Sequence, residues 1–184
     1  MQASPRPHRS AGFSLIELLT VLVILGLVAG LGLPSFLDVI ARNRVVSQHN
    51  EILAGLSYAR AEAIRRNVPV ALCAANAAQT ACQVAWDRNW LVWQDTDADG
   101  VVDAGEDVLQ VGGTAQTEQL SSPSGAAHTV FRFSARGLRL LPDPDAVAIA
   151  SLRVRAVNCP AGQSLSRTIT ILRTGATRSV EDPC

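Results

Sequence analysis

The pattern of apolar and polar positions begins with a long apolar run. Residues 13–33 contain one charged side chain, Glu17, and are otherwise almost continuously apolar. About 20 apolar residues cross a bilayer as a helix, so this run predicts a transmembrane segment. Arg6, His8 and Arg9 precede it, which predicts a cytoplasmic N-terminus and an exported remainder.

A second pattern follows Pro34, where apolar side chains recur at helical intervals. They are Val45, Ile52, Leu56, Ala59 and Ala63. These positions form one face of an α-helix, and Glu62 and Arg66 form a favourable i,i+4 pair on it. Val68-Pro69 predicts the end of the helix. We therefore expect one helix from residue 13 to about residue 67, with its apolar stripe packed on a folded domain.

The rest of the chain, residues 68–184, predicts one β-rich domain. Short β-prone runs alternate with clusters of Gly, Pro, Asp and Ser. The runs are residues 68–73, 90–94, 108–111, 129–133, 152–157 and 168–172. Together with the helix they predict an α+β fold in which an antiparallel sheet packs on the helix.

Four cysteines lie on the predicted exported side, where disulfides persist. Three pairings are possible. We favour Cys73 with Cys82, which closes a short loop, and Cys159 with Cys184, which ties down the C-terminal residue. Metal binding by these cysteines is the weaker alternative, because no pair has C-x-x-C spacing.

An acidic loop follows the β-prone run at residues 90–94. Its pattern consists of Asp95, Asp97, Asp99, Gly100 and Glu106. This is the D-x-D-x-D-G-x5-E spacing of a calcium loop, with Asp103 at the water-bridging ninth position. An EF-hand needs flanking helices, whereas β-prone runs flank this loop, so an acidic hairpin turn is the alternative. Ca²⁺ at residues 95–106 is thus the one cofactor that the sequence suggests, and none is required.

Charge is unevenly distributed although the chain is formally neutral. All sixteen basic residues are Arg. Residues 86–118 carry eight acids and one Arg, whereas residues 120–184 carry eight Arg and four acids. Solvated faces explain such a distribution, and docking of subunits or contact with phosphate are the alternatives. No G-x-S-x-G, H-E-x-x-H or phosphate-binding glycine loop occurs, which argues against an enzyme.

Glu17 needs a physical explanation, because an unpaired acid at a helix centre in lipid costs about 2.5–3.5 kcal/mol. One interpretation is an ordinary secretory signal with a cleavage site near Ala29-Gly30-Leu31. The apolar run is longer than such signals and contains an acid, so this interpretation fits poorly. A charged partner for Glu17 is the better explanation.

Residues 12–17, with Gly12, Phe13 and Glu17 at their key positions, resemble the class III signal of type IV prepilins and type II secretion pseudopilins. The resemblance implies that prepilin peptidase cleaves between Gly12 and Phe13 and methylates the new amino group. It also implies that Glu17 of one subunit faces the Phe13 amine of its neighbour in a filament. Pro34 stands where these proteins carry a helix-kinking proline.

Two further strings, residues 59–67 and Trp90-Leu91-Val92-Trp93, extend the resemblance to the GspH/FimT family of minor pilins and pseudopilins. The family implies a type IV pilin-like fold. The implied segments are a leader peptide at 1–12, a transmembrane helix at 13–33, an amphipathic helix at 34–67 and a periplasmic β-rich domain at 68–184.

The resemblance implies a structural subunit that helps initiate or cap a type IV pilus. The implied partners are other major and minor pilins or pseudopilins, prepilin peptidase and an inner-membrane assembly platform, with membrane lipid around the helix before assembly. The implied location is the bacterial inner membrane, crossed once, and then the pilus or pseudopilus.

Two alternative functions accompany this expectation. One is a minor pseudopilin of a type II secretion system, which serves protein export. The other is a DNA-binding minor pilin in natural transformation, since some relatives resemble DNA receptors with Gly-Arg in a basic loop. Here Arg173 and Arg178 flank the corresponding turn, but Ala176 stands in place of that Arg. The departure counts against DNA binding.

Overall fold

The computed structural model describes residues 12–86, 88–113, 118–121, 130–140 and 150–184, without the side chains of residues 31–35. The chain divides into two compact units, Met1–Ile40 and Ala41–Cys184. Helix α1 is Leu15–Arg66.

The predicted membrane span at residues 13–33 stays a prediction. Among the described residues, no helix combines the length and the apolar character needed to cross a bilayer. Most of the predicted leader, and the side chain of Pro34, lie outside the described part of the chain. The kink predicted at Pro34 therefore also stays a prediction.

The second half of α1 carries the predicted apolar stripe. All five of its side chains are buried, with at most 2 % of their surface exposed. The helix ends at Arg66, since Asn67 has a φ of 58°. Asn tolerates this left-handed conformation at a helix C-terminus, and Pro69 prevents the helix from continuing.

Nine strands follow in the described residues and form two antiparallel sheets. They are β1 Val70–Ala74, β2 Asn89–Gln94, β3 Val108–Gly113, β4 Glu118–Ser121, β5 Val130–Phe133, β6 Arg139–Leu140, β7 Ala150–Ala156, β8 Ser166–Ile171 and β9 Thr177–Asp182. The five-stranded sheet has the order β3-β2-β1-β5-β6, and the four-stranded sheet has the order β4-β7-β8-β9. In the first sheet Ala71 lies opposite both Trp93 and Arg132.

The α+β prediction is confirmed, and each of the six predicted β-prone runs overlaps a strand. The structure differs in having two sheets rather than one, and in three strands that the pattern did not reveal. Strand β6 has only two residues, and β9 lies at a sheet edge with most of its side chains exposed. Strand β4 alternates buried and exposed positions over only four residues. Such strands lack the apolar run that marks a buried strand.

One hydrophobic core joins the second half of α1 to both sheets. Trp90 is central to this contact and is 1 % exposed. A Cβ placed on Gly55 of α1 would lie 3.0 Å from the Trp90 ring, and one on Gly112 of β3 would lie 2.1 Å from it. The indole therefore leaves no room for a Cβ at Gly112 of the neighbouring strand and little room for one at Gly55 of the helix.

The opposite face of the five-stranded sheet is also buried. Ala71, Cys73, Leu91 and Trp93 form a second cluster there. Val102, from the loop that connects β2 to β3, packs against this cluster. The acidic loop is thus anchored on the sheet by an apolar side chain of its own.

Replacing Gly112 with Ala should lower the free energy of unfolding by about 1–3 kcal/mol, because the added methyl group overlaps the buried Trp90 ring. Urea unfolding of the full chain in detergent measures the change. Gly26→Ala is the control, since a Cβ at Gly26 meets no atom within 4 Å and should not lower stability. Equal stability of Gly112→Ala and the parent protein would contradict this packing.

Candidate functional site

The N-terminal candidate site lies at the start of α1. The backbone N–H groups of Glu17 and Leu18 donate to the Ser14 carbonyl at 3.1 and 3.2 Å, so Ser14 begins the hydrogen-bonded turn. The Glu17 carboxylate is exposed in this first turn, where the helix dipole favours a negative charge. No ion pair to Glu17 occurs among the described residues.

The first half of α1 exposes its apolar side chains. Phe13 and Leu15 are each 79 % exposed. The other large exposed side chains before residue 30 are Ile16, Leu18, Leu19, Val21, Leu22, Val23, Ile24, Leu25, Leu27 and Val28. Exposed apolar surface on this scale marks a membrane or protein interaction site. The bond between Gly12 and Phe13 lies beside it, and both residues are exposed.

The acidic loop has internal hydrogen bonds at each of its first three acidic residues. Gly100 has a φ of 84°, and its N–H donates to Asp95 Oδ1 at 3.2 Å. Asp97 Oδ1 accepts from the Asp99 N–H at 3.3 Å, and Asp99 Oδ1 accepts from the Val101 N–H at 2.7 Å. Each of these bonds joins an Asp side chain to a backbone N–H two to five residues later, so the chain is tightly curved here. Carboxylate oxygens of Asp95, Asp97 and Asp99 lie within 4.8 Å of one another as a result.

The rest of the loop departs from an EF-hand. The oxygens of Glu106 accept from the Thr96 N–H at 2.6 Å and from the Asp103 N–H at 3.2 Å, so this side chain braces the loop backbone. The Val101 carbonyl, the seventh loop position, accepts from the Trp93 indole N–H at 3.2 Å. Strands β2 and β3 flank the loop where an EF-hand has helices. Three convergent carboxylates, rather than a full EF-hand shell, are what the fold brings together.

Burial and crowding of negative charge raise pKa values in this loop. Burial is the main cause that raises the pKa of Asp95, opposed by the Gly100 N–H and by Arg132. The neighbouring Asp99 carboxylate is the main cause that raises the pKa of the exposed Asp103. A cation placed among these carboxylates would relieve their repulsion.

The C-terminal end of α1 connects to the acidic loop through hydrogen bonds. Glu62 Oε2 accepts from Arg65 at 2.5 Å and from Arg66 at 2.6 Å, and these bonds lower the pKa of Glu62 to about 2. Arg66 also donates to Gln94 Oε1, the residue before the loop, at 3.3 Å. The Asp95 N–H donates to the Pro69 carbonyl at 3.1 Å. The predicted Glu62–Arg66 pair is present, and Arg65 joins it.

Both disulfides are those that the sequence analysis favours. Cys73 of β1 pairs with Cys82, which closes a loop beside the first sheet. Cys159 pairs with Cys184 and holds the end of the chain after β9. All four sulfurs are thereby used, which removes the thiolates that a metal site would need.

The turn between β8 and β9 has a packing role. Arg60 of α1 donates from Nε to the Gly137 carbonyl at 2.9 Å and from Nη2 to the Thr174 carbonyl at 3.1 Å. A Cβ on Gly175, whose φ is 75°, would lie 2.1 Å from the Gly137 oxygen. Position 175 therefore requires glycine, because the backbones of the turn and of Gly137 approach too closely for a side chain. No local sequence pattern indicates this role of Arg60, because its partners are 77 and 114 residues away.

Comparison with known proteins assigns the family. The family described as "Type II transport protein GspH" matches residues 48–175, more than half of the chain. The chain belongs to this family. The family described as "Prokaryotic N-terminal methylation motif" matches residues 7–33. No curated protein matches the chain significantly.

Two crystal structures of the type IV minor pilin FimU from Pseudomonas aeruginosa resemble the fold. The first is 21 % identical, covers 77 % of this chain and 90 % of FimU, and has a TM-score of 0.50. The second crystal form is 18 % identical, covers 73 % of this chain and 90 % of FimU, and has a TM-score of 0.49. The first of these resemblances confirms the predicted type IV pilin-like fold.

This GspH-family member is a minor pilin or pseudopilin, because it combines the family domain with the methylation motif of prepilins. Proteins of this kind are structural subunits rather than known enzymes, and they generally need no cofactor. Their location is first membrane-anchored and then in the filament, where they assemble with other pilins after prepilin peptidase acts. Neither the family nor the related structures favour DNA binding.

Replacing Glu62 with Gln should lower the melting temperature at pH 7, because its bonds to Arg65 and Arg66 lose their charge. The ordinary pKa of a glutamate is 4.5, and that of Glu62 is about 2. The stabilisation is therefore full above pH 4.5 and is lost as pH falls towards 2. The melting temperatures of Glu62→Gln and of the parent protein should therefore become equal as pH falls. Thermal unfolding of both proteins from pH 7 to pH 2 measures this change.

Glu51→Gln, on the same helix, is the control for a simple loss of negative charge. A difference between Glu62→Gln and the parent protein that stays constant from pH 7 to pH 2 would contradict the assigned role of Glu62.

Proposed function

We propose that this protein is a minor pilin that helps initiate or cap a type IV pilus. The observation that carries the proposal is the order of two segments in one chain, the methylation motif at residues 7–33 and the GspH-family domain at residues 48–175. A FimU-like fold in the second segment agrees with it. A pseudopilin of a type II secretion system is the second candidate, favoured by the description of the family itself.

The proposed processing step removes residues 1–12 and methylates the Phe13 amine. Exposure of Gly12 and Phe13 supports it, because a peptidase needs access to the bond between them. Membrane lipid would then surround the exposed apolar side chains of α1 until the subunit enters the filament. The proposed partners are prepilin peptidase, an inner-membrane assembly platform, and other major and minor pilins. The domain after residue 67 would lie in the periplasm.

Glu17 is the proposed assembly residue. In a filament its carboxylate would pair with the methylated Phe13 amine of a neighbouring subunit. This pairing would offset the cost of burying the acid among apolar side chains, where an unpaired acid is costly. The exposed position of Glu17 in the first turn of α1 supports this role. Pro34 is a second proposed assembly residue, as a place where the helix bends or extends on packing.

We also propose that the acidic loop binds Ca²⁺ as an accessory ligand. The supporting observation is that carboxylate oxygens of Asp95, Asp97 and Asp99 lie within 4.8 Å of one another. Oxygen ligands of this charge suit a hard divalent cation such as Ca²⁺. Arg173 and Arg178 are not proposed as DNA contacts, because the turn between them is explained by its packing against Gly137.

Replacing Glu17 with Ala should leave the protein in the membrane and reduce its incorporation into filaments at least tenfold, because the charge partner of the neighbouring amine is lost. Immunoblots of sheared filaments and of membrane fractions measure both pools. Thr20→Ala is the matched control, since it removes a polar group one turn away without removing charge. Normal incorporation of Glu17→Ala would contradict the proposed pairing.

A strain without the protein separates the two candidate machines. If the proposal holds, surface pili become fewer and export of secreted enzymes stays normal. Normal piliation with defective export would assign the protein to a type II secretion system instead.

A further inference from the structure

Asp95 is an acid whose position is fixed by the fold. Its N–H donates to the Pro69 carbonyl, and its Oδ1 accepts from the Gly100 N–H. The side chain is 0 % exposed, and its second oxygen, Oδ2, accepts no hydrogen bond from any described residue. A buried carboxylate oxygen without a donor is costly unless a cation lies close to it.

Two cations are candidates to neutralise the buried Asp95 carboxylate. The first is a Ca²⁺ among Asp95, Asp97 and Asp99, whose carboxylate oxygens converge within 4.8 Å. Asp97 and Asp99 are exposed, so the cluster is open to ions from solution on one side and closed by Asp95 on the other.

The second cation is Arg132 of β5, which belongs to the protein itself. Its Nη1 lies 3.9 Å from Asp95 Oδ2 and donates to the Ala98 carbonyl. The Arg132 side chain is 15 % exposed, and its stem lies 3.9 Å from where a Cβ on Gly100 would stand. The guanidinium is therefore held against the loop on the side of the buried acid.

We propose that Arg132 and Ca²⁺ compete for the Asp95 carboxylate, and that Arg132 thereby sets the Ca²⁺ affinity of the acidic loop. The inference rests on the Ca²⁺ site proposed above. Like charges near one carboxylate repel, so each weakens the binding of the other. Without metal, Arg132 offsets part of the charge of the loop. The loop can then fold in the absence of Ca²⁺, which agrees with a family that generally needs no cofactor.

The test is calorimetric titration of CaCl2 into the full chain in detergent after removal of metal with a chelator. Arg132→Met should bind Ca²⁺ about tenfold more tightly than the parent protein, since the competing charge is gone. Arg155→Met is the matched control, because Arg155 is exposed and lies on the other sheet. The Ca²⁺ affinity of this variant should equal that of the parent protein. Arg132→Lys retains the charge and should also resemble the parent.

A second readout covers the case in which Arg132→Met folds poorly without metal. Ca²⁺ should then raise the melting temperature of Arg132→Met by more than it raises that of the parent protein. Arg132→Gln, of similar length and still polar, should show the same larger rise.

The outcomes separate the two proposals. Ca²⁺ binding by the parent protein that disappears in Asp97→Asn and Asp99→Asn supports the site. Binding by the parent with an unchanged affinity in Arg132→Met and Arg132→Gln overturns the competition and leaves the site intact. No binding by the parent or by either Arg132 variant overturns both the site and the competition.

Discussion

The packing of Trp90 between Gly55 and Gly112 is the contact on which the domain from Ala41 onward depends. It brings α1 and β3 against one buried indole, which excludes a side chain at Gly112 and leaves little room for one at Gly55. Strand β2, which contains Trp90, is thereby fixed under the helix. Its last residues then place Asp95 and the acidic loop at one end of the sheet. Trp90 thus lies where α1, β2 and β3 meet.

The end of α1 and the acidic loop share a small polar network. Arg66 bonds both to Glu62 in the helix and to Gln94 before the loop, and Asp95 bonds to the backbone of Pro69 after the helix. A change in the charge of the loop would therefore alter the surroundings of the charged residues at the C-terminal end of α1. Within the unit that ends at Ile40, the large apolar side chains of the described residues before Ile40 are exposed.

Local patterns in the sequence predicted much of the fold. The spacing of Ile52, Leu56 and Ala59 indicated the buried face of the helix, and β-prone runs indicated six of the described strands. The acidic spacing indicated either a calcium loop or an acidic hairpin turn, and the fold brings three of its carboxylates together. Contacts between distant residues were beyond such patterns. Arg60 and Arg132 donate hydrogen bonds to carbonyls at least 34 residues away. The Glu106 carboxylate accepts from backbone N–H groups of the loop rather than joining the three Asp carboxylates.

Intact-mass and N-terminal peptide analysis of the protein from its native membrane tests the central claim most directly. A GspH-family subunit bearing the prepilin methylation motif should begin at Phe13 and carry a methyl group on its amine. A chain that begins near Leu31 would instead indicate an ordinary exported protein. That result would contradict the account of a filament subunit.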